Sequence, residues 1–232
     1  NIRKDEMSRI KSNFDYLFVI IYFTGTIFFQ TKLSENVLLN IHGNTKFWDT
    51  YFEIIYYGIF AVACLLFYKN KIAASIKKIK ITDFKYIGIA LIFIIITMVA
   101  SAIILSYNGI GESANQEAIN NYISDYGIIT LLVVIILGPL VEEIVFRGII
   151  YYLLRGKKGN LARIIVANFI TSLMFAIYHC GIKSLLVFNV EQILAIIPLF
   201  FLGVGIAYVQ EKTSNISCSI VTHIVINLIA TS

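Results

Sequence analysis

The sequence is poor in charge, in helix-breaking residues and in cysteine. Only 14% of its 232 residues are Asp, Glu, Lys or Arg, and it contains two prolines, three cysteines and one tryptophan. Soluble domains carry about 25% charged residues, so the low charge excludes an ordinary soluble globule. The cysteines are an odd number without ligand spacing, so they do not form the pattern of a disulfide framework.

Hydrophobic residues are what the sequence has in abundance, at 58% with a mean hydropathy of +0.81. They form seven long runs: Tyr16–Phe29, Tyr51–Tyr68, Ile87–Tyr107, Ile128–Leu154, Leu161–Tyr178, Ile193–Val209 and Ile216–Ala230. The runs lack the two-residue alternation of a membrane barrel, which favours helices. They predict an all-α fold, a polytopic transmembrane helical bundle of about seven spans, within a range of six to eight.

Basic residues lie between the apolar runs and not in one patch, so the net charge of +5 does not indicate nucleic acid. They concentrate in the N-terminal segment, in residues 69–85 and in residues 155–163. The positive-inside rule then predicts a cytosolic N-terminus, with the lipid bilayer as a partner. Lys69–Lys80 predicts a short amphipathic helix on the membrane surface. Residues 1–6 show no signal-peptide cleavage pattern, and we expect Asn1 to be an arbitrary boundary.

Three charges interrupt the fourth apolar run. Glu142, Glu143 and Arg147 lie within it, and ionisable groups at such a depth are costly and usually functional. Glu143 and Arg147 are four residues apart, so they share a helix face and predict an ion pair. Glu142 lies about 100° away around the helix and needs another partner. The alternative is that all three charges only form a buried packing network.

Few polar residues in the later runs can reach Glu142. The candidates are His179, His223 and Asn227, and helix rise places all of them near mid-membrane. In one chemistry, Glu142 takes a proton from a water held by His179, while His223 and Asn227 donate to a tetrahedral oxyanion. In the other, Glu142, His179 and His223 bind zinc and leave one position open. Both hydrolyse an amide inside the membrane.

Two other chemistries fit these residues less well. Cys180 next to His179 could indicate a cysteine nucleophile, but sequence neighbours rarely have nucleophile–base geometry. A proton-coupled transporter would use an intramembrane carboxylate, and it would be expected to show repeated halves, which the sequence lacks.

Gly203 and Gly205 predict close helix packing or a kink after Pro198.

Three motifs occur in order on successive apolar runs. They read Glu142-Glu143-x-x-x-Arg147, Phe175-x-x-x-His179 and His223-x-x-x-Asn227. They resemble the motifs of the CAAX protease and bacteriocin-processing family, the CPBP or Abi intramembrane endopeptidases related to the Ras-converting prenyl protease. The stretch from Phe201 to Gly205 also resembles the family pattern. The resemblance predicts a CPBP-type catalytic helical core in residues 125–232, preceded by membrane spans without a motif in residues 1–124.

The resemblance implies a role for each motif residue. Glu142 and His179 would activate water, and His223 and Asn227 would line the oxyanion site. The other motif residues would shape the pocket or pack beside the catalytic histidine: Glu143, Arg147 and Phe175. The family is described both as zinc-dependent and as metal-independent, and glutamate-activated water is slightly favoured here.

Composition and length look bacterial, which predicts a bacterial cell membrane. The expected function is an intramembrane endopeptidase that cuts a peptide or a membrane protein, in bacteriocin immunity or peptide maturation. A rival of another class is an immunity or scaffold protein that works by binding, and a second rival is a small transporter.

Overall fold

The computed structural model describes residues 2–30, 45–109, 120, 124, 127, 131–156, 159–180 and 190–231. All regular structure in these residues is helical, which confirms the predicted all-α fold. The helices in chain order are α1 (Ile2–Gln30), α2 (Thr45–Ile76), α3 (Asp83–Tyr107), a motif helix over residues 133–155, α4 (Leu161–Cys180), α5 (Val190–Thr213) and α6 (Ile216–Ala230).

The motif helix is built from four contiguous pieces. A π-helix over Val133–Leu137 is followed by an α-helix over Gly138–Glu143, a second π-helix over Ile144–Ile150 and a last α-helical turn over Tyr151–Arg155. π-Turns widen the helix and are frequent at functional sites. They also change which side chains share a face, so the direction of each acid here does not follow from α-helical spacing alone.

Several helices have the length and composition of membrane spans. Within the described residues, four helices qualify: Ile54–Ile76, Asp83–Tyr107, Leu161–Cys180 and Leu194–Thr213. Two shorter apolar helices cover Asn13–Ile27 and Ile216–Ala230. Many large apolar side chains on these helices face outward, as in a protein surrounded by lipid. The chain is therefore an integral membrane protein, a polytopic helical bundle.

The chain forms two compact units, residues 1–49 and residues 50–232. In the second unit, α5 packs against α3 and α4, and α6 packs against α3, α5 and the motif helix. A Cβ atom on Gly203 would lie 2.9 Å from the Cα atom of Ser172 in α4. A Cβ atom on Gly205 would lie 2.7 Å from Cγ1 of Ile94 in α3. The two glycines therefore let α5 approach a neighbour on each side, which confirms the predicted packing role.

The basic segment after the second apolar run differs from its prediction. Helix α2 continues to Ile76, so the segment from Lys69 to Ile76 extends the span and is not a separate surface helix. No Gly or Pro lies there to end the helix. The extension is held in place because Lys71 Nζ donates to the Gly148 carbonyl at 3.1 Å. The same continuation carries α5 past Val209 to Thr213.

Candidate active site

The ion pair between Glu143 and Arg147 lies at the centre of the bundle. The two side chains are fully buried, and Arg147 Nη1 lies 3.1 Å from Glu143 Oε1. Arg147 Nη2 donates to the Gly203 carbonyl at 2.9 Å, and its guanidinium carbon lies 4.9 Å from the centre of the Phe175 ring. These contacts compensate for the desolvation of both charges. The predicted pair is confirmed.

His223 reaches the motif helix at two points. Its Nδ1 lies 2.9 Å from Glu143 Oε1, a contact that the sequence did not predict. A carboxylate accepts hydrogen bonds, so Nδ1 of His223 donates, and Nε2 of the neutral ring then carries a lone pair. That Nε2 lies 3.8 Å from Glu142 Oε2. His223 therefore joins the two acids, with its protonated nitrogen on Glu143.

His179 is oriented by the residue one helical turn before it. Its Nδ1 lies 2.9 Å from the Phe175 carbonyl oxygen, which can only accept, so Nδ1 donates. The rings of Phe175 and His179 also pack together, with centroids 4.2 Å apart. In the neutral ring Nε2 then carries a lone pair, and this atom lies 3.5 Å from Glu142 Oε2. Phe175 thus determines the orientation and the tautomer of the His179 ring. It packs beside this ring as predicted.

The other oxygen of Glu142 is held by tyrosine. Tyr57 donates from its hydroxyl to Glu142 Oε1 at 3.0 Å, and the same hydroxyl lies 2.9 Å from that of Tyr178. Sequence reasoning missed both tyrosines. Tyr178 directly precedes His179, but Tyr57 lies on α2 in an apolar run, and no spacing marks it among 14 tyrosines. The site therefore includes a residue from the part of the chain without motifs.

Asn227 binds the motif helix backbone. Its Nδ2 donates to the Val134 carbonyl at 2.9 Å. In a π-turn this carbonyl would accept from the residue five positions later, which is Pro139, and proline has no N–H. The Asn227 amide thus replaces a backbone donor. The Asn227 NH2 group has a second hydrogen that this contact does not use. Donation of that hydrogen to an oxyanion stays a prediction.

When both histidine rings are neutral, three lone-pair atoms converge at the centre of the site. They are Glu142 Oε2, His179 Nε2 and His223 Nε2, and the outer nitrogen of each ring donates elsewhere. Glu142 Oε2 is buried and has no hydrogen-bond partner among the described residues. Acceptors that face one another at such distances need a donor between them, and a water molecule has this property. The arrangement can therefore hold and deprotonate water.

The three atoms are of the kind that binds zinc, but the distances between them do not all match a zinc site. Ligands at about 2.0–2.2 Å in a tetrahedral site stand about 3.3–3.6 Å from one another. Glu142 Oε2 lies 3.5 Å from His179 Nε2, which is within this range. It lies 3.8 Å from His223 Nε2, which is above the range. Within the described part of the chain, no group of three His, Cys, Asp or Glu side chains meets the geometry of a metal site. Zinc binding stays a prediction, and no step below depends on it.

Comparison with known proteins places these motifs in a family. Residues 124–229 match the family model described as Type II CAAX prenyl endopeptidase Rce1-like. Just under half of the chain is therefore similar to this CAAX protease family. The match confirms the resemblance predicted from the motifs and contains all of them, whereas Tyr57 lies outside it.

Two curated relatives show how far the similarity extends. The chain is 31% identical to YdiL of Bacillus subtilis (strain 168) over 120 residues, 51% of this chain and 43% of that protein. It is 29% identical to the membrane-embedded CAAX protease MroQ of Staphylococcus aureus (strain USA300) over 187 residues, 76% of this chain and 70% of that protein. No solved structure matches.

Proposed function

We propose that the chain is an intramembrane endopeptidase that hydrolyses a peptide bond with glutamate- and histidine-activated water. The observation that carries the proposal is the convergence of Glu142 Oε2, His179 Nε2 and His223 Nε2, with the two outer ring nitrogens already donating to other groups. A site built only for packing would pair these atoms with donors. Similarity to the Staphylococcus relative, a membrane-embedded CAAX protease, supports the same activity.

The reaction follows from the positions of these atoms. Glu142 Oε2 takes one proton of the bound water, His179 Nε2 accepts a hydrogen bond from the other, and the oxygen attacks the substrate carbonyl carbon. The C–N bond of the resulting tetrahedral intermediate breaks as Glu142 returns its proton to the leaving nitrogen. Tyr57 holds the second carboxylate oxygen, so the basic oxygen stays directed at the histidines.

The oxyanion of the intermediate needs donors. His223 and Asn227 are the proposed pair, as the sequence predicted. His223 Nε2 lies 3.8 Å from Glu142 Oε2, and it serves as a donor only in the form of the ring that carries a proton on Nε2. Asn227 supplies the hydrogen that is not used on Val134. Donors directed at an oxyanion in a dry site contribute about 2.7–4 kcal/mol each to lowering the barrier.

The proposed substrate is a peptide or a membrane protein that enters from the bilayer. Bacteriocin immunity or peptide maturation is the process in which we expect to find it. The proposed location is a bacterial cell membrane with the N-terminus on the cytosolic side, because basic residues concentrate in alternate loops.

A trapping experiment tests this function. Protein with Glu142→Ala, reconstituted with bacterial membranes, is expected to retain a substrate that mass spectrometry identifies. Wild-type protein should cleave that substrate, and Glu142→Gln should lower the rate about 10²- to 10⁴-fold because the general base is lost. Thr97→Ala, on α3 and away from the site, serves as the matched control and should keep the wild-type rate.

Two results would replace the proposal. Full processing or immunity with Glu142→Gln in a folded protein would favour a protein that works by binding. Loss of cleavage on chelation, with recovery only after zinc is added and one zinc per chain in the purified protein, would favour the zinc mechanism over glutamate-activated water.

A further inference from the structure

A cavity lies at the basic end of the motif helix, apart from the candidate active site. Its volume is about 820 Å³, and it is walled by the end of α2, the α2–α3 turn, the motif helix at Gly148 and Tyr152, and the α5–α6 turn. Small-molecule sites have volumes of about 300–1,000 Å³, so this cavity has the size of a binding site. None of the residues of the candidate active site lines it.

The wall of this cavity is strongly positive. Four lysines line it: Lys71, Lys77, Lys78 and Lys80. None of its described lining residues is acidic. The two carboxylates next to it in sequence are already engaged: Asp83 accepts from the Lys80 backbone N–H at 2.9 Å, and Glu211 is bound by Arg155 and Tyr151. Lys77, Lys78 and Lys80 therefore have no matching carboxylate among the described residues that line the cavity.

Neutral hydrogen-bonding groups complete the wall and hold it in shape. Asn215 donates from Nδ2 to the Ser75 carbonyl at 2.9 Å, and the Ser75 and Ser217 hydroxyls are hydrogen-bonded, which ties the α5–α6 turn to α2. Gln210 donates to the Tyr152 hydroxyl at 2.9 Å, which leaves that hydroxyl its own hydrogen to donate. The cavity is thus formed before any ligand arrives.

The turn that carries the lysines lies at a membrane boundary. It joins two candidate spans, and apolar side chains stand exposed beside its charges: Ile81 is 85% exposed and Phe84 is 55% exposed. Apolar groups next to lysines at the end of a span are typical of the lipid headgroup region, where the ammonium groups reach the polar layer. The cavity therefore opens at the depth of lipid phosphates.

We propose that this cavity binds the headgroup of an anionic phospholipid such as phosphatidylglycerol. The lysines neutralise the phosphodiester, and the hydroxyl and amide groups of Tyr152 and Asn215 bind the polar end of the headgroup. A soluble anion would match the positive charge of the cavity, but it would not account for the exposed apolar side chains of the turn. The proposal does not depend on the proposed proteolysis.

Lipid binding to the full chain in an uncharged detergent tests the proposal. Native mass spectrometry should show one phosphatidylglycerol bound at least about tenfold more tightly than phosphatidylcholine, because only the former carries net charge. The double variant Lys77→Gln, Lys80→Gln should bind phosphatidylglycerol about tenfold more weakly. The control pair Lys69→Gln with Lys85→Gln removes the same charge from exposed positions outside the cavity and should leave binding unchanged.

Several outcomes would overturn the proposal. Equal loss in both variant pairs would show that only general surface charge matters. Displacement of the lipid by inorganic phosphate, or by a glutamate-rich peptide, at equal concentration would assign the cavity to a soluble anion or to a peptide. A second measurement needs no variant: phosphatidylglycerol vesicles should protect the cavity lysines of the wild type from acetylation more than Lys69 and Lys85, and equal protection would also refute it.

Discussion

The two ends of the motif helix carry similar groups but satisfy them to different extents. At the basic end, Glu211 accepts from the Tyr151 hydroxyl at 2.8 Å and from Arg155 at 2.6 and 2.9 Å, so both of its oxygens are used. At the site end, Glu142 Oε2, Glu143 Oε2 and Arg147 Nε are buried without a hydrogen-bond partner among the described residues. The better satisfied network is the more exposed one.

This difference distinguishes a network that stabilises the fold from one that keeps unpaired groups for another purpose. Leaving a buried polar group unpaired costs about 1–3 kcal/mol, and more if it is charged. The site end keeps such groups, although the same chain satisfies them fully at the basic end. The unpaired atoms support the proposed function, in which a substrate or a water molecule binds there, and the basic end shows what a structural network of the same chemistry looks like.

Arg147→Met should give the largest effect. It leaves Glu143 charged and buried, which is expected to destabilise the fold by about 3–5 kcal/mol. Reversible unfolding in mixed micelles would measure the free energy of unfolding. A cost below about 1 kcal/mol would mean that the buried pair is no more critical than an exposed one, and the contrast between the two ends would fail.

Gly203→Ala should have the next largest effect. The added methyl group would lie 2.9 Å from the backbone of Ser172, so α5 must move away from α4 and carry the carbonyl that Arg147 binds. We expect about 1–3 kcal/mol of destabilisation. Gly88→Ala on α3 is the control, because nothing lies within 4 Å of its added methyl group, and it should leave stability unchanged or raise it.

Tyr57→Phe tests whether the site depends on α2. Loss of its hydrogen bond to Glu142 should lower kcat about tenfold without a large change in thermal stability, since the ring remains. Cleavage of the trapped substrate would measure it. Tyr86→Phe, on α3 with its ring packed against Tyr208, is the control and should keep wild-type kcat. Equal rates for wild type and Tyr57→Phe would remove Tyr57 from the site.

Arg155→Met should give the smallest effect. Arg155 and Glu211 are each 21% exposed, so water can solvate Glu211 after the change. We expect about 0–1 kcal/mol of destabilisation in the same unfolding measurement. A loss as large as that for Arg147→Met would show that satisfaction of the network, and not its burial, decides its importance.

The sequence predicted features that depend on local spacing. Apolar runs predicted the helices, and the four-residue spacing predicted the pair of Glu143 with Arg147. The contact of His223 with Glu143 could not be predicted, because π-turns and the rotation of α6 decide which of two adjacent acids a distant histidine meets. Tyr57 was missed for a similar reason, since its hydroxyl matters only through the packing of α2 against the motif helix.

The position of His223 and Asn227 on α6 has a consequence for biosynthesis. Glu143 can pair with Arg147 as soon as one helix has formed, but Glu143 and His223 are 80 residues apart in the chain. A ribosome therefore inserts the acids into the membrane well before their last partners. The nascent chain carries a neutralised pair and an incomplete site, so the proposed hydrolysis requires that α6 has docked.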